Sequence, residues 1–288
     1  LYKKKKLAKG IIGGVFLLCI FCLKVDASTI RLDQAKIRLE ILPGEIASGK
    51  IKVENPSTEP IDLKVYLQDW RYLPSADGTK EFLPSGTLPL SCASWISFSP
   101  QEISLPAFGE KEIYYTVKVP PEAKGAHFAV LFFETVSPAI TGDVGMAIKI
   151  RLGALFYIEA KGTTLRKAEL KDFSLIQDEK RRLFIEGDFI NSGNVDLIAE
   201  GTYHIIDKKG LVLARGTFNK IYTFPQDKAR LKAIWKEPLK KGVYDLVITL
   251  DIGKAQQEAG FAGGPILVKE LEFEVDEDGN IIRRSELK

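Results

Sequence analysis

Two histidines, His127 and His204, and three cysteines, Cys19, Cys22 and Cys92, are all the imidazole and thiol groups in the 288 residues. A nucleophilic triad needs a serine or cysteine whose proton is taken by a histidine that an acid orients. Each histidine here stands in its own strand-like run, GAHFAVLFF and GTYHIID, in different halves of the chain. Neither follows a Gly-x-Ser-x-Gly turn, the elbow that exposes a serine nucleophile. Metal centres draw several ligands to one point, which two isolated histidines cannot do. The complete phosphate loop Gly-x-x-x-x-Gly-Lys-Ser/Thr and the dinucleotide fingerprint Gly-x-Gly-x-x-Gly are both absent. Asp276-Glu277-Asp278-Gly279-Asn280 opens like a calcium loop, but IIRRSELK follows where oxygen ligands would be needed. An Asp-Gly turn between two strands is the expectation there. Acids are too many to mark a glycosidase pair by themselves. The residues therefore predict no enzyme, no metal and no cofactor.

The chain begins LYKKKKLAKG, continues as the apolar run IIGGVFLLCIFCL and reaches Ala27 through KVDA. A charged start, an apolar centre of about a dozen residues and small residues at the cut form a secretory signal. A membrane-spanning helix would call for roughly 20 apolar residues. Residues 1–27 are thus expected to be a signal peptide, with no membrane span after cleavage. They hold six lysines and one acid of the 41 basic and 38 acidic residues, leaving 35 and 37 in the remainder. Such a balance offers no basic patch for phosphate neutralisation, so nucleic acid is not an expected partner. Cys92 is the single cysteine after residue 27, which excludes an intramolecular disulfide in the exported chain. It is expected to be a small buried residue beside Trp95.

From Ser28 onward short alternating runs are punctuated by Pro, Gly, Asn and Asp, as in strands joined by turns. The first half predicts strands over 37–42, 50–54, 61–72, 95–99, 103–105, 112–119 and 126–136, with a long excursion at 73–94. The stretch MAIKIRLGALFYIEA, 146–160, predicts one long strand, with Gly153 marking a bulge or a change of face. Strands over 169–176, 183–190, 195–206, 211–224, 229–235, 243–250 and 266–275 follow in the second half. No long helical period appears. The expected fold is all-β: a signal peptide at 1–27 and two tandem immunoglobulin-like β-sandwich domains, at 28–160 and 168–275. A linker at 161–167 joins them and a polar C-terminal tail covers 276–288.

The segments IRLDQAKIRLEIL, GKIKVENPSTEPIDLKVYLQDW, WISFSPQEISLPAFGEKEIYYTV and AIKIRLGALFYIEA make the first half resemble the N-terminal domain of periplasmic pilus-assembly chaperones. That resemblance implies a protein-binding role, in which an edge strand is lent to an incomplete pilin-like subunit. Ile148, Ile150 and Leu152 would be the donor side chains. It also implies a basic pair that grips the subunit's terminal carboxylate. Lys36 falls at the first of these positions, and Gly153 falls at or beside the second, where the family has lysine.

A second resemblance rests on PGEIASGKIKVENPSTE, WISFSP and EIYYTVKVPPEAKGAHFAVLFFE, with GDFINSGNVDLIAEGTYHIIDKKG in the second half. These look like the WxL-interacting surface proteins of Gram-positive bacteria and imply adhesion to a cell-wall component. Both resemblances place the chain in the cell envelope, in the periplasm or at the cell surface.

Overall fold

A computed structural model describes residues 30–136, 139–141, 146–254, 257 and 263–286, with 139–141, 146–148 and 283–286 described by backbone alone. The expected signal segment lies outside these residues. In the first half the strands are β1 (Arg31–Leu32), β2 (Lys36–Ile41), β3 (Ile46–Glu54), β4 (Ile61–Tyr72), β5 (Lys80–Pro84) and β6 (Ile96–Ser99). They continue as β7 (Glu102–Leu105), β8 (Glu110–Lys118), β9 (Gly125–Thr135), β10 (Ala139–Thr141), β11 (Met146–Ile148) and β12 (Arg151–Ala160). One sheet runs β1-β3-β8-β6 and the other β2-β12-β9-β4-β5, with β7 also paired to β4.

Alternation decides what lies between the sheets. Ile51 and Val53 of β3 and Ile113 and Val117 of β8 point inward from one sheet. Leu63 and Val65 of β4, Leu131 and Phe133 of β9, and Phe156 and Ile158 of β12 meet them from the other. All are buried, and each such side chain removed from water contributes roughly 1.5–3 kcal/mol.

The second sandwich contains β13 (Ala168–Gln177), β14 (Leu183–Asn191), β15 (Leu197–Asp207), β16 (Val212–Thr217) and β17 (Ile221–Thr223). Its remaining strands are β18 (Lys228–Trp235), β19 (Gly242–Asp251), β20 (Ile266–Val275) and β21 (Ile281–Glu286). Here β13-β14-β18 packs against β16-β15-β19-β20-β21, with β17 on β15. The all-β, two-sandwich class expected from the sequence is the class observed.

Three expectations are corrected and one is met. The run 146–160 is two strands, because Thr135 terminates the β9 pairing: its N–H donates to the Ile150 carbonyl (3.0 Å) and its Oγ1 accepts from the Ile150 N–H (3.1 Å). Upstream of that point β11 pairs with β10 instead. Gly153 marks no bulge, since β12 and β9 keep one register from Arg151–Glu134 to Ala160–Gly125. The run 211–224 divides into β16 and β17 because Asn219 leaves that sheet and bonds Lys232 of β18 through both backbone and side chain. The expected Asp-Gly turn forms at Asp276, whose Oδ1 accepts the Asn280 N–H (2.8 Å), and the polar stretch after it returns as β21 on β20. Ile281 holds that return strand by packing against the core.

Candidate partner-binding edge

β12 has β9 along one side for its whole length. On its other side β2 runs parallel to it, but only from Leu155 to Ala160. Ahead of β2 the chain turns away, and β1 joins β3 in the opposite sheet. Residues 151–154 therefore have one strand neighbour among the described residues. The Leu155 N–H donates to Ala35 on the β2 side (3.0 Å). Strand alternation then directs the N–H and C=O groups of Arg151 and Gly153 to the same, open side.

Of the three expected donor side chains, Ile150 and Leu152 are half-buried and cover the end of their own domain's core. The side chain of Ile148 lies outside the described residues. Its backbone lies in β11, opposite Ala139.

The opposite face of β12 lies in an aromatic field. Tyr66 and Phe132 rings meet at 5.8 Å and Phe82 stands edge-on to Phe132 at 4.9 Å. The Arg151 guanidinium lies 4.2 Å from the Phe132 centroid and 5.6 Å from that of Phe82. Gly153 is directly opposite Phe132, and a Cβ there would come within 2.7 Å of Val130 Cγ2 and 2.9 Å of Phe132. The ring fills the place of a side chain. Gly153→Lys, which installs the residue expected of the chaperone pattern, is predicted to lose about 1–3 kcal/mol of stability through this overpacking. A chemical melt checks it, and an unchanged midpoint would contradict the packing.

Lys36 is exposed at the head of β2, opposite Leu155. Its charge reaches a residue that sequence spacing did not suggest, Lys80 of β5. The Lys80 ammonium is held below its ordinary pKa by burial and then by the charge of Lys36. It lies 5.7 Å from the Tyr72 centroid and donates to the Gly78 carbonyl (2.9 Å). Lys36 thus stands where the open edge meets β2, while Lys80 belongs to β5 at the far edge of the same sheet.

Two positions on, Arg38 is committed elsewhere. Its guanidinium donates twice to Asp196 of the second sandwich, at 2.8 and 3.3 Å, and lies 3.9 Å from the Tyr157 centroid. Asp196 is fully buried, so this charge-assisted bidentate pair bridges the sandwiches away from water. Beside it Arg166 donates to Glu159, another buried carboxylate, whose pKa is raised chiefly by burial against the pull of Arg166.

Trp70, Tyr72, Phe128 and Tyr157 continue this seam and share one apolar cluster with the interior of the second sandwich. Phe224 stacks on Phe128 with centroids 4.0 Å apart. A cavity of about 400 Å³ opens beside them, between Leu88–Leu90 and Phe224–Asp227. The Asn194 carbonyl accepts the Ala126 N–H (2.8 Å), and the Asn194 side chain engages Thr163 and Leu165 of the connecting segment. Gly125, at φ +73°, is required here, because a Cβ would collide with Asn194.

The remaining chemical candidates stay apart. His127 meets Trp95 at 4.2 Å with the rings tilted by 45°, and burial lowers its pKa, while His204 lies in β15 of the other sandwich. Cys92 is fully buried, and burial raises its thiol pKa well above the ordinary value. The Asp276–Asn280 segment forms the turn between β20 and β21.

No protein-family model matches the sequence, and no curated protein matches it. Solved structures do resemble it. The class 5 fimbriae chaperone CfaA is 14% identical over 84% of this chain and 98% of its own, with a TM-score of 0.50. A chain of the chaperone–tip adhesin complex of CFA/I fimbriae biogenesis is 15% identical over 84% and 98%, with a TM-score of 0.48. A chain of the Salmonella enterica SafA pilin–SafB chaperone complex is 11% identical over 84% and 95%, with a TM-score of 0.40. The likeness to CfaA shows a shared fold, a chaperone-like pair of immunoglobulin-like sandwiches.

Proposed function

We propose that the chain is an exported, non-catalytic protein-binding module of the cell envelope, acting as a pilus-assembly chaperone by β-strand donation. Its units in this role are residues 28–160 and 168–275, joined by 161–167. The observation that carries the proposal is the open side of β12 at residues 151–154, flanked by the partly accessible apolar side chains of Ile150 and Leu152. A strand edge with unpaired backbone groups is a template for another strand. The fold shared with a fimbriae chaperone supports the same role. An incoming strand parallel to β12, in line with β2, would end beside Lys36. Lys36 suits a terminal carboxylate there, and Gly153 supplies no second cation.

The test is co-expression of the full chain, in the envelope, with an immunoglobulin-like pilus subunit that lacks one strand. The expected result is a stable complex in which amide exchange at Arg151 and Gly153 slows by at least about tenfold. A complex without added protection there would overturn strand donation. Recovery of the chain on isolated cell wall with no protein partner would favour the adhesion role instead.

A further inference from the structure

The geometry points to an acidic partner strand, one that alternates apolar residues with Asp or Glu. This rests on the strand-pairing proposal above. The outward side chains bordering the open edge are Lys149 and Arg151 on one side of Gly153 and Lys36 on the other. Lys149 already reaches Glu134 at 3.6 Å, and Glu134 also accepts from the Tyr66 hydroxyl.

Arg151 is placed differently. It rests on Phe132 and Phe82, donates to Gln68 Oε1 (3.4 Å) and interacts with the Tyr66 hydroxyl. Glu134, directly opposite it in β9, is shared with Lys149 and Tyr66. A guanidinium lying on aromatic rings is pre-organised, and its peripheral N–H groups remain able to take a carboxylate.

A strand seated on this edge would pair its backbone with Arg151 and Gly153 and would send every second side chain to the outward face. Its inward side chains would meet Ile150 and Leu152, which sets the apolar half of the alternation. Its outward side chains would fall among Lys149, Arg151 and Lys36, where opposite charges across strands stabilise and like charges oppose. Gly153 offers no side chain of its own, and Val130 and Phe132 fill that place. A carboxylate side chain from the partner would therefore pass over these side chains toward Arg151 or Lys36.

Two synthetic peptides test the inference against the full chain by fluorescence anisotropy. Both have valine and leucine at inward positions and a free carboxyl terminus; one carries glutamate at the outward positions and the other glutamine. The glutamate peptide is expected to bind about tenfold more tightly at low salt, with the difference shrinking as salt is added. Arg151→Gln should narrow the gap, while Arg151→Lys should keep most of it. Equal affinities, with edge amides protected by both peptides, would overturn the acidic preference and leave strand pairing standing. No binding and no protection by either peptide would remove strand pairing itself, and the preference with it.

Discussion

Arg38→Met is expected to destabilise the protein by about 3–5 kcal/mol, because it leaves a buried carboxylate without its bidentate partner. Asp196 is fully buried, and the Arg38 side chain is only 10% exposed. Water cannot easily replace the lost bonds. The loss should appear as a lower urea midpoint with little change in slope. A companion variant, Arg38→Met with Asp196→Leu, should recover much of the loss, since replacing both members of a buried pair by apolar residues is often close to neutral. A loss for the single variant below about 1 kcal/mol, the range of exposed pairs, would mean that water reaches the seam.

Trp70→Ala should cost a similar amount, about 3–5 kcal/mol, and it also tests whether the two sandwiches unfold together. The indole is 1% exposed and packs at 5.0–5.3 Å against Phe224, Tyr157 and Tyr72. Its N–H donates to the Ala129 carbonyl (3.0 Å), which would be left without that donor. Since Phe224 belongs to the second sandwich, the loss should be felt in both halves. Circular dichroism and fluorescence should report one coincident transition in the native chain. Two separate transitions, with only the first shifted by the substitution, would refute a shared core.

Most of the strands were legible because period-2 alternation was clean. In β4, Leu63 and Val65 alternate with Lys64 and Tyr66, and the structure buries the first pair as expected. The breaks were less legible. Nothing local in IKIRL announces that pairing with β9 stops at Ile150, because the stop is made by Thr135, fifteen residues earlier. Gly153 was noticed for the right position and the wrong reason. Its meaning depends on the ring opposite it in β9, and register is a property of the folded sheet.

The seam was the part least visible in the sequence. Tyr66 and Trp70 share the outward face of β4, yet Trp70 is buried because a second domain covers that end of the sheet. Asp196, a lone acid in the run NVDLIA, was the available signal for a buried charge. Its partner Arg38 stands 158 residues away, a separation no spacing rule spans. Lys80 was hidden for the same reason: it feels the charge of Lys36 only in the folded sheet.

The order of synthesis gives the aromatic seam a further consequence. Trp70, Tyr72, Phe128 and Tyr157 all leave the ribosome before Phe224, the residue that covers them. At ordinary translation rates roughly ten seconds separate the completion of the first sandwich from that of the second. A first half that folded promptly would spend that interval with an oily face uncovered. The seam thus makes the finished surface of the first half depend on the arrival of the second.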